Sequence, residues 1–135
     1  DLMKPADNKS LVEQSIKHFG KVDILVNNAG IQHIDSVEKF PDENWDKIIA
    51  LNLSSSFHTI KHAIPGMKER KWGRIINIAS VHGLVGSVNK TAYVAAKHGV
   101  VGLTKVVALE NAQTGVTVNA ICPGFVLTPL IQKQI

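Results

Sequence analysis

Three apolar, β-branched segments alternate with three segments of helical periodicity along this chain, and this alternation is what most constrains its fold. The strand-like segments cover residues 22–26, 74–79 and 116–121, and the helix-like segments cover residues 8–19, 42–70 and 93–112. Strand–helix–strand units close through right-handed crossovers, so such a chain forms a parallel sheet with helices packed on it. We therefore predict an α/β fold with a doubly wound parallel sheet covered on both faces.

Local signals set the expected ends and bends of the helices. Apolar residues at helical spacing define the buried faces: Val12, Ile16 and Phe19 in the first helix, and Trp45, Ile48, Ile49, Leu53 and Phe57 in the second. Gly20 and Gly115 are placed to end the first and third helices, and Asp42 is a suitable N-cap for the second. Asn52 and the serines at 54–56 are poor helix formers, so we predict a bend near Asn52.

The composition is that of one globular domain, with 135 residues of which 44% are hydrophobic. The single cysteine, Cys122, excludes an internal disulfide and a cysteine-rich zinc site, so we expect a reducing compartment, the cytoplasm. The most apolar stretch, residues 100–109, is shorter than the roughly 20 residues of a membrane span, so we expect no membrane insertion. The net charge of +4 is a mild excess without basic aromatic strands, and we expect no nucleic-acid binding.

Polar residues follow each of the three strand-like segments. They are residues 27–30, 80–83 and 123–128. Ligands of open α/β sheets bind beyond the carboxyl ends of the strands. These three segments are therefore where we expect the chemistry.

Tyr93 and Lys97 lie four residues apart at the start of the third helix, so their side chains share one face. A phenol ordinarily titrates near pH 10, and a neighbouring ammonium favours its phenolate form. Tyr93 is then a candidate general acid or base, and Ser80 is a candidate hydrogen-bond donor to the same substrate oxygen. A Tyr-x-x-x-Lys pair alone also occurs by chance in amphipathic helices, so its meaning depends on its neighbours.

Those neighbours form an ordered series that resembles the short-chain dehydrogenase/reductase family over essentially the whole chain. The series is Asn27-Asn28-Ala29-Gly30 after a strand, Asn52 at a helix break, Ser80 after a strand, Tyr93 with Lys97, then Pro123-Gly124 and Thr128. Three longer stretches, 28–33, 79–83 and 126–130, are similar to the family's D-3-hydroxybutyrate dehydrogenases. The resemblance implies a Rossmann-type fold and hydride transfer between D-3-hydroxybutyrate and NAD, giving acetoacetate.

The resemblance also implies a role for individual residues. Tyr93 would be the catalytic acid or base, Lys97 would assist it and touch the nicotinamide ribose, Ser80 would orient the substrate oxygen, and Asn52 would hold a water of the proton relay. The residues implied to bind the cofactor are Asp1, Leu2, Asn28, Ala29, Gly30, Tyr93, Lys97, Pro123, Gly124 and Thr128, with Asp1 and Leu2 beside the adenine.

A small anionic hydroxy or keto acid is the substrate that the resemblance implies. Its carboxylate would be held by polar side chains matching Gln32, His82, Lys90 and Gln134. Spacing agrees for two of them, since Lys90 precedes Tyr93 by one helical turn and His82 follows Ser80 by two residues. Charge-assisted hydrogen bonds of this kind contribute about 1.5 to 3 kcal/mol each. The alternative for each residue is a solvated surface position.

The chain also departs from the family pattern. It has no glycine-rich phosphate loop, no acidic residue that selects NAD over NADP, and no lid segment after Ile135, and Phe125 stands where relatives often have tryptophan. We expect residues 1–135 to be part of a single Rossmann-type catalytic domain of a longer enzyme. The isolated segment should neither bind NAD well nor turn over.

The third helix is apolar nearly all round, and Gly99 and Gly102 would allow a symmetric partner to approach it closely. Relatives assemble through the helices matching 52–70 and 93–112, so we expect a homotetramer. His58 and His62 have a metal-compatible spacing but no third ligand, so we expect no catalytic metal. Two alternatives stay open: a reductase of 3-oxoacyl thioesters with the same core, and a catalytically silent oligomeric relative.

Overall fold

The computed structural model describes residues 1–132, and these form a three-stranded parallel sheet with helices on one side. The strands are β1 (Ile24–Asn27), β2 (Gly73–Ile78) and β3 (Val116–Ile121), in the spatial order β1-β2-β3. Leu25, Ile75 and Val118 occupy one row across the three strands. The predicted α/β class and parallel sheet are confirmed.

Five α-helices and two short helical segments connect and flank these strands. They are α1 (Pro5–Phe19), α2 (Asp42–Ile49), a π-helical segment (Ala50–Ser54), α3 (Ser55–Glu69), a 3-10 turn (Val81–Gly83), α4 (Thr91–Glu110) and α5 (Pro129–Gln132). The first helix therefore begins earlier than predicted, because Pro5 fits the first helical turn. Asp42 is the first helical residue rather than the cap, and Phe19 is 76% exposed rather than part of the buried face. Trp45 and Phe57, predicted on the buried face of the second helix, are exposed as well.

Within residues 1–132 the helices pack on one face of the sheet. A core of α1, α3 and α4 side chains packs on Ile75, Val116 and Val118. Right-handed crossovers that run in one direction place their helices on one side, and the described strand order never reverses. On the opposite face, Ile24 and Val26 remain more than half exposed within residues 1–132.

The predicted bend near Asn52 is confirmed as a π-helical segment between α2 and α3. Asn52 is buried, and its amide pairs with the backbone of Ile31: Ile31 N donates to Oδ1 over 2.9 Å, and Nδ2 donates to Ile31 O over 2.8 Å. The wider helical turn thus points one amide at the loop after β1. Such bulges recur at functional sites.

Helix α4 crosses the centre of the domain. Its 20 residues are long and apolar enough to span a bilayer by length and composition alone, so the helix exceeds the apolar run considered in the sequence. It packs on β3, the π-helical segment and α2, as the core helix of an α/β domain does. A Cβ at Gly99 would lie 2.8 Å from the Leu53 side chain, so this glycine serves packing within the chain rather than approach of a partner.

Candidate active site

The loops that follow the three strands meet at one edge of the sheet. Val81 N donates to Pro123 O over 2.8 Å, which joins the loops after β2 and β3. Asn52 joins the loop after β1 to the helical layer through Ile31. Parallel strands end at a common edge, so this clustering follows from the topology.

Ser80 lies directly after β2 at the start of the 3-10 turn. It is 8% exposed, and its Oγ accepts a hydrogen bond from His82 N over 3.1 Å. The turn packs against α4 at Gly83, where a Cβ would lie only 2.8 Å from the Lys97 carbonyl oxygen. Glycine at this position therefore allows the Ser80 turn to lie against the helix that carries Tyr93.

Lys97 is buried beneath Tyr93 on α4. Lys97 is 4% exposed, and its Nζ donates a hydrogen bond to Ile78 O over 2.7 Å. The same Nζ lies 5.6 Å from the centroid of the Tyr93 ring. Burial lowers the pKa of the Lys97 ammonium.

A small cavity of about 50 Å³ lies at this edge, and most of the residues predicted to touch the substrate line it. They are Gln32, Ser80, His82, Lys90 and Tyr93, together with Val81, Gly124, Phe125 and Ile131. Gln134, the remaining residue of the predicted substrate set, lies outside the described residues. The structure thus brings hydroxyl, imidazole, amide and ammonium groups to one small space.

His82 lies between aromatic rings in the wall of this cavity. Its ring centroid is 6.1 Å from that of Tyr93 and 6.2 Å from that of Phe125, with both pairs edge-on. Burial lowers the pKa of His82, and the positive charge of Lys90 lowers it further. Lys90 Nζ in turn lies 5.9 Å from the Phe125 ring centroid. Both effects favour the neutral form of the imidazole, and Lys90 supplies the ammonium group of the cavity wall.

The predicted cofactor residues occupy three places. Leu2, Asn28 and Ala29 line a second cavity of about 150 Å³ beside β1, and Asp1 shares a shallow depression with Leu2. A Cβ at Gly30 would lie 3.6 Å from Asn52 Oδ1, and Pro123 and Gly124 lie in the loop after β3. Thr128 is exposed at the start of α5, where its carbonyl accepts from Gln132 N over 2.8 Å, and it lines none of the cavities described here.

The second cavity has the chemistry of a partial nucleotide site. Apolar Leu2, Leu11 and Leu25 line it together with Asn28, Ser55 and Ser56, so its wall combines apolar, amide and hydroxyl groups. Such a wall suits a flat base or a ribose with hydroxyl groups, and the residues fit that part of a dinucleotide.

Sequence reasoning did not identify Asn8, which is fully buried and donates through Nδ2 to Leu2 O and Lys4 O, both over 2.8 Å.

A buried polar network next to the site was also missed. Asn27 of β1 bonds to Asn77 of β2, and Asn77 bonds to Thr104 of α4. The only available signal was an asparagine at the inward position of a strand that is otherwise rich in isoleucine.

Among residues 1–132 no three histidine, cysteine, aspartate or glutamate side chains form a metal-binding group, and this covers His58 and His62.

Comparisons with known proteins agree with this geometry. Residues 1–135 match the family described as short chain dehydrogenase. The chain is 64% identical over its full length to the D-beta-hydroxybutyrate dehydrogenases of Cupriavidus necator and Rhizobium meliloti, and it covers 52% of each. It is 47% identical over 98% of its length to a putative ketoacyl reductase of the granaticin polyketide synthase of Streptomyces violaceoruber, covering 50% of that protein. The chain thus spans about half the length of the curated relatives it matches, and it belongs to the short-chain dehydrogenase family.

Proposed function

We propose that the protein containing this chain transfers a hydride between D-3-hydroxybutyrate and NAD, and so interconverts the hydroxy acid and acetoacetate. The observation that carries this proposal is the small cavity in which Ser80 and Tyr93 lie with Gln32, His82 and Lys90. It combines the groups that an alcohol needs with groups that suit a carboxylate. The 64% identity to two D-beta-hydroxybutyrate dehydrogenases supports the same substrate.

The catalytic part of the cavity acts on the alcohol oxygen. Tyr93 in its phenolate form accepts the hydroxyl proton as the carbinol carbon is oxidised, and it returns the proton in the reverse direction. Lys97, whose Nζ lies 5.6 Å from the Tyr93 ring centroid, is proposed to assist Tyr93 in this proton transfer. Ser80 donates a hydrogen bond to the substrate oxygen and stabilises the negative charge that develops there.

The remaining polar side chains hold the substrate carboxylate. Lys90 provides the charge, and the neutral imidazole of His82 and the amide of Gln32 provide donors at the cavity wall. Gln134 is proposed as a further donor to the carboxylate.

NAD would be held by residues of the two cavities and the loops between them. Asp1 and Leu2 would lie beside the adenine, Asn28, Ala29 and Gly30 along the dinucleotide, and Pro123, Gly124 and Thr128 beside the carboxamide. Tyr93 and Lys97 would contact the nicotinamide ribose. When bound, NAD supplies the hydride acceptor, and Asn52 is proposed to hold a water that passes protons onward from Lys97.

A reductase of 3-oxoacyl thioesters is the second candidate, because the chain is also 47% identical to a putative ketoacyl reductase. Such a substrate has no free carboxylate at its acyl end, so the Gln32, His82 and Lys90 cluster would have no role. A catalytically silent relative would have no chemical need for Asn52, Ser80, Tyr93 and Lys97 together.

The testing experiment measures NADH formation by the complete protein with D-3-hydroxybutyrate. The L enantiomer, NADP and a Tyr93→Phe variant serve as controls. Turnover restricted to the D acid and NAD, and lost in Tyr93→Phe, supports the proposal. Silence with the acid but reduction of acetoacetyl thioesters selects the second candidate, and silence with both selects a non-catalytic protein.

We also propose that the protein works in the cytoplasm as a homotetramer, without membrane or nucleic-acid partners. The exposed apolar side chains of α3 and α4, Phe57, Val106 and Leu109, support an interface on these helices. The single cysteine, Cys122, is compatible with a reducing compartment.

A further inference from the structure

We propose that Asn77 is a positioning residue that fixes the cofactor loop after β1 relative to the catalytic helix α4. The inference rests on the proposed function, because it assigns a purpose to the spacing between Asn28–Gly30 and Tyr93. Asn77 touches neither the substrate cavity nor the cavity beside β1. It acts through the groups on either side of it.

Asn77 is the middle of a hydrogen-bonded chain that joins α3, β1, β2 and α4. Thr59 Oγ1 of α3 donates to Asn27 Oδ1 over 2.7 Å, and Asn27 Nδ2 donates to Asn77 Oδ1 over 2.9 Å. Asn77 Nδ2 donates to Thr104 Oγ1 over 2.9 Å, and that hydroxyl donates to Val100 O over 2.7 Å. All donors point the same way, from α3 through β1 and β2 to α4.

Asn77 occupies a buried position at which an apolar side chain would be sufficient for packing. Asn77 is 0% exposed and follows Gly73 and Ile75 on the inward face of β2. Burying an amide there costs free energy unless its hydrogen bonds are made, and they are made only if both neighbouring elements keep their positions. The amide therefore fixes the positions of β1 and α4 relative to β2. Isoleucine or valine at this position would not fix them.

The two ends of the network lie next to the groups whose placement the reaction needs. Asn27 directly precedes Asn28, the first residue of the proposed cofactor loop. On the other side, Thr104 lies two turns after Lys97 on α4. Lys97 itself bonds to Ile78 O, so the last two residues of β2 are both tied to α4. Ser80 follows two residues later and lines the same cavity as Tyr93.

The test uses the complete protein with Thr104→Val, which removes the acceptor for Asn77 at nearly constant volume. Thr104→Ser keeps the hydroxyl and is the conservative rescue. Thr114→Val is the matched control, because it removes a threonine hydroxyl that bonds to Asn111 O at the far end of α4. The measurements are kcat, the KM for NAD, the Kd for NADH and the midpoint of thermal unfolding.

We expect Thr104→Val to lower kcat and weaken NADH binding about tenfold each, since small displacements of reacting groups cost on this scale. Thr104→Ser should restore both, and Thr114→Val should change only the unfolding midpoint. If Thr104→Val lowers the midpoint but leaves kcat and the NADH Kd unchanged, the network is merely structural and the proposal is wrong. If the wild type turns over neither the acid nor the thioester, the proposed function fails, and the NADH Kd of Thr104→Val against Thr104→Ser still decides this inference.

Discussion

The Lys97 ammonium is almost fully buried, and among the described ion pairs none involves it. Its backbone acceptor, Ile78 O, offsets only part of the cost of removing the charge from water. Under the proposed function, this position would serve chemistry at the expense of stability. Such a residue is a place where activity and stability oppose each other.

Lys97→Met is expected to abolish turnover while leaving the free energy of unfolding equal to or above that of the wild type. Methionine keeps the length of the side chain and removes the buried charge. Loss of an assisting group of this kind costs about 100-fold or more in kcat. Chemical denaturation and steady-state kinetics on the same preparation measure both effects. Destabilisation by about 3 kcal/mol would contradict the argument, because it would reveal a buried counter-charge.

The lowered pKa of Lys97 also predicts how stability depends on pH. In the alkaline range the folded protein releases the Lys97 proton before the unfolded chain does, so the unfolded state binds more protons there. Stability should therefore rise with pH between the lowered folded pKa and the ordinary lysine value. The rise should be absent in Lys97→Met, and equal pH profiles for the two proteins would count against it.

At the residue scale, the sequence was informative where spacing alone joins two side chains. Tyr93 and Lys97 share a helical face at four residues apart, and Ser80 lies at a strand end, so their proximity followed from periodicity. Asn77 could not be identified in this way, because its partners Asn27 and Thr104 are 50 and 27 residues distant in the sequence. Long-range amide pairing leaves no periodic signal.

At the element scale, the π-helical segment delivers Asn52 to the loop after β1. Asn52→Ala should remove both bonds to Ile31, destabilise the protein by about 2 kcal/mol and raise the KM for NAD, because the loop at 28–31 loses its attachment. Asn44→Ala on α2 is the matched control. An unchanged KM in a destabilised Asn52→Ala protein would show that the bend serves packing alone.

The turn before α4 places Lys90 at the cavity. Asn89 has a left-handed backbone with φ of 61°, its carbonyl accepts from Asp35 N over 3.0 Å, and Asp35 and Lys90 form a parallel bridge. Neither the sign of φ nor this bridge was predictable, although asparagine tolerates the left-handed region better than most residues. The backbone conformation of Asn89 thus positions Lys90, a residue of the proposed carboxylate site.

Asn89→Gly should therefore leave the KM for the hydroxy acid unchanged. Asn89→Ala should raise this KM about fivefold, because alanine in the left-handed region is strained by about 1 kcal/mol. Lys71 is an internal control, because it is the other described non-glycine residue with positive φ, at 57°, and lies at the α3–β2 turn. Lys71→Gly and Lys71→Ala should differ in unfolding midpoint but not in KM. Equal KM values for both Asn89 variants would show that the backbone conformation of Asn89 does not position Lys90 for substrate binding.

At the scale of the whole molecule, the proposed tetramer depends on the apolar side chains that α3 and α4 leave exposed. Val106 and Leu109 are 53% and 78% exposed within the described residues, whereas Val100 and Val107 of the same helix are buried. Val106→Glu should shift the complete protein to smaller species in light scattering, whereas Lys17→Glu on α1 should leave the mass unchanged. A wild type that is monomeric would contradict the proposal directly.

The class of the fold was predictable from the sequence, but the face of the sheet on which each described helix lies was not. Alternating periodicities predict parallel strands joined by helices, and this holds for residues 22–121 with small shifts of the ends. They carry no information on which face each helix occupies, since that depends on the direction of successive crossovers. Ile24, Val26 and Ile121 therefore read as ordinary core residues, although each is more than half exposed.

This open face leads to the prediction for the isolated 135-residue chain. Exposed apolar strands and an unpaired sheet edge are templates for association. The isolated chain should self-associate and bind NADH far more weakly than the complete protein, since it contains only part of the proposed dinucleotide site. Sedimentation and NADH fluorescence titration measure the two properties. Val26→Thr with Ile121→Thr should reduce the association without restoring NADH binding, which separates the open face from the missing binding groups. A soluble monomer of the unmodified chain with tight NADH binding would overturn the view that these residues need the rest of a longer enzyme.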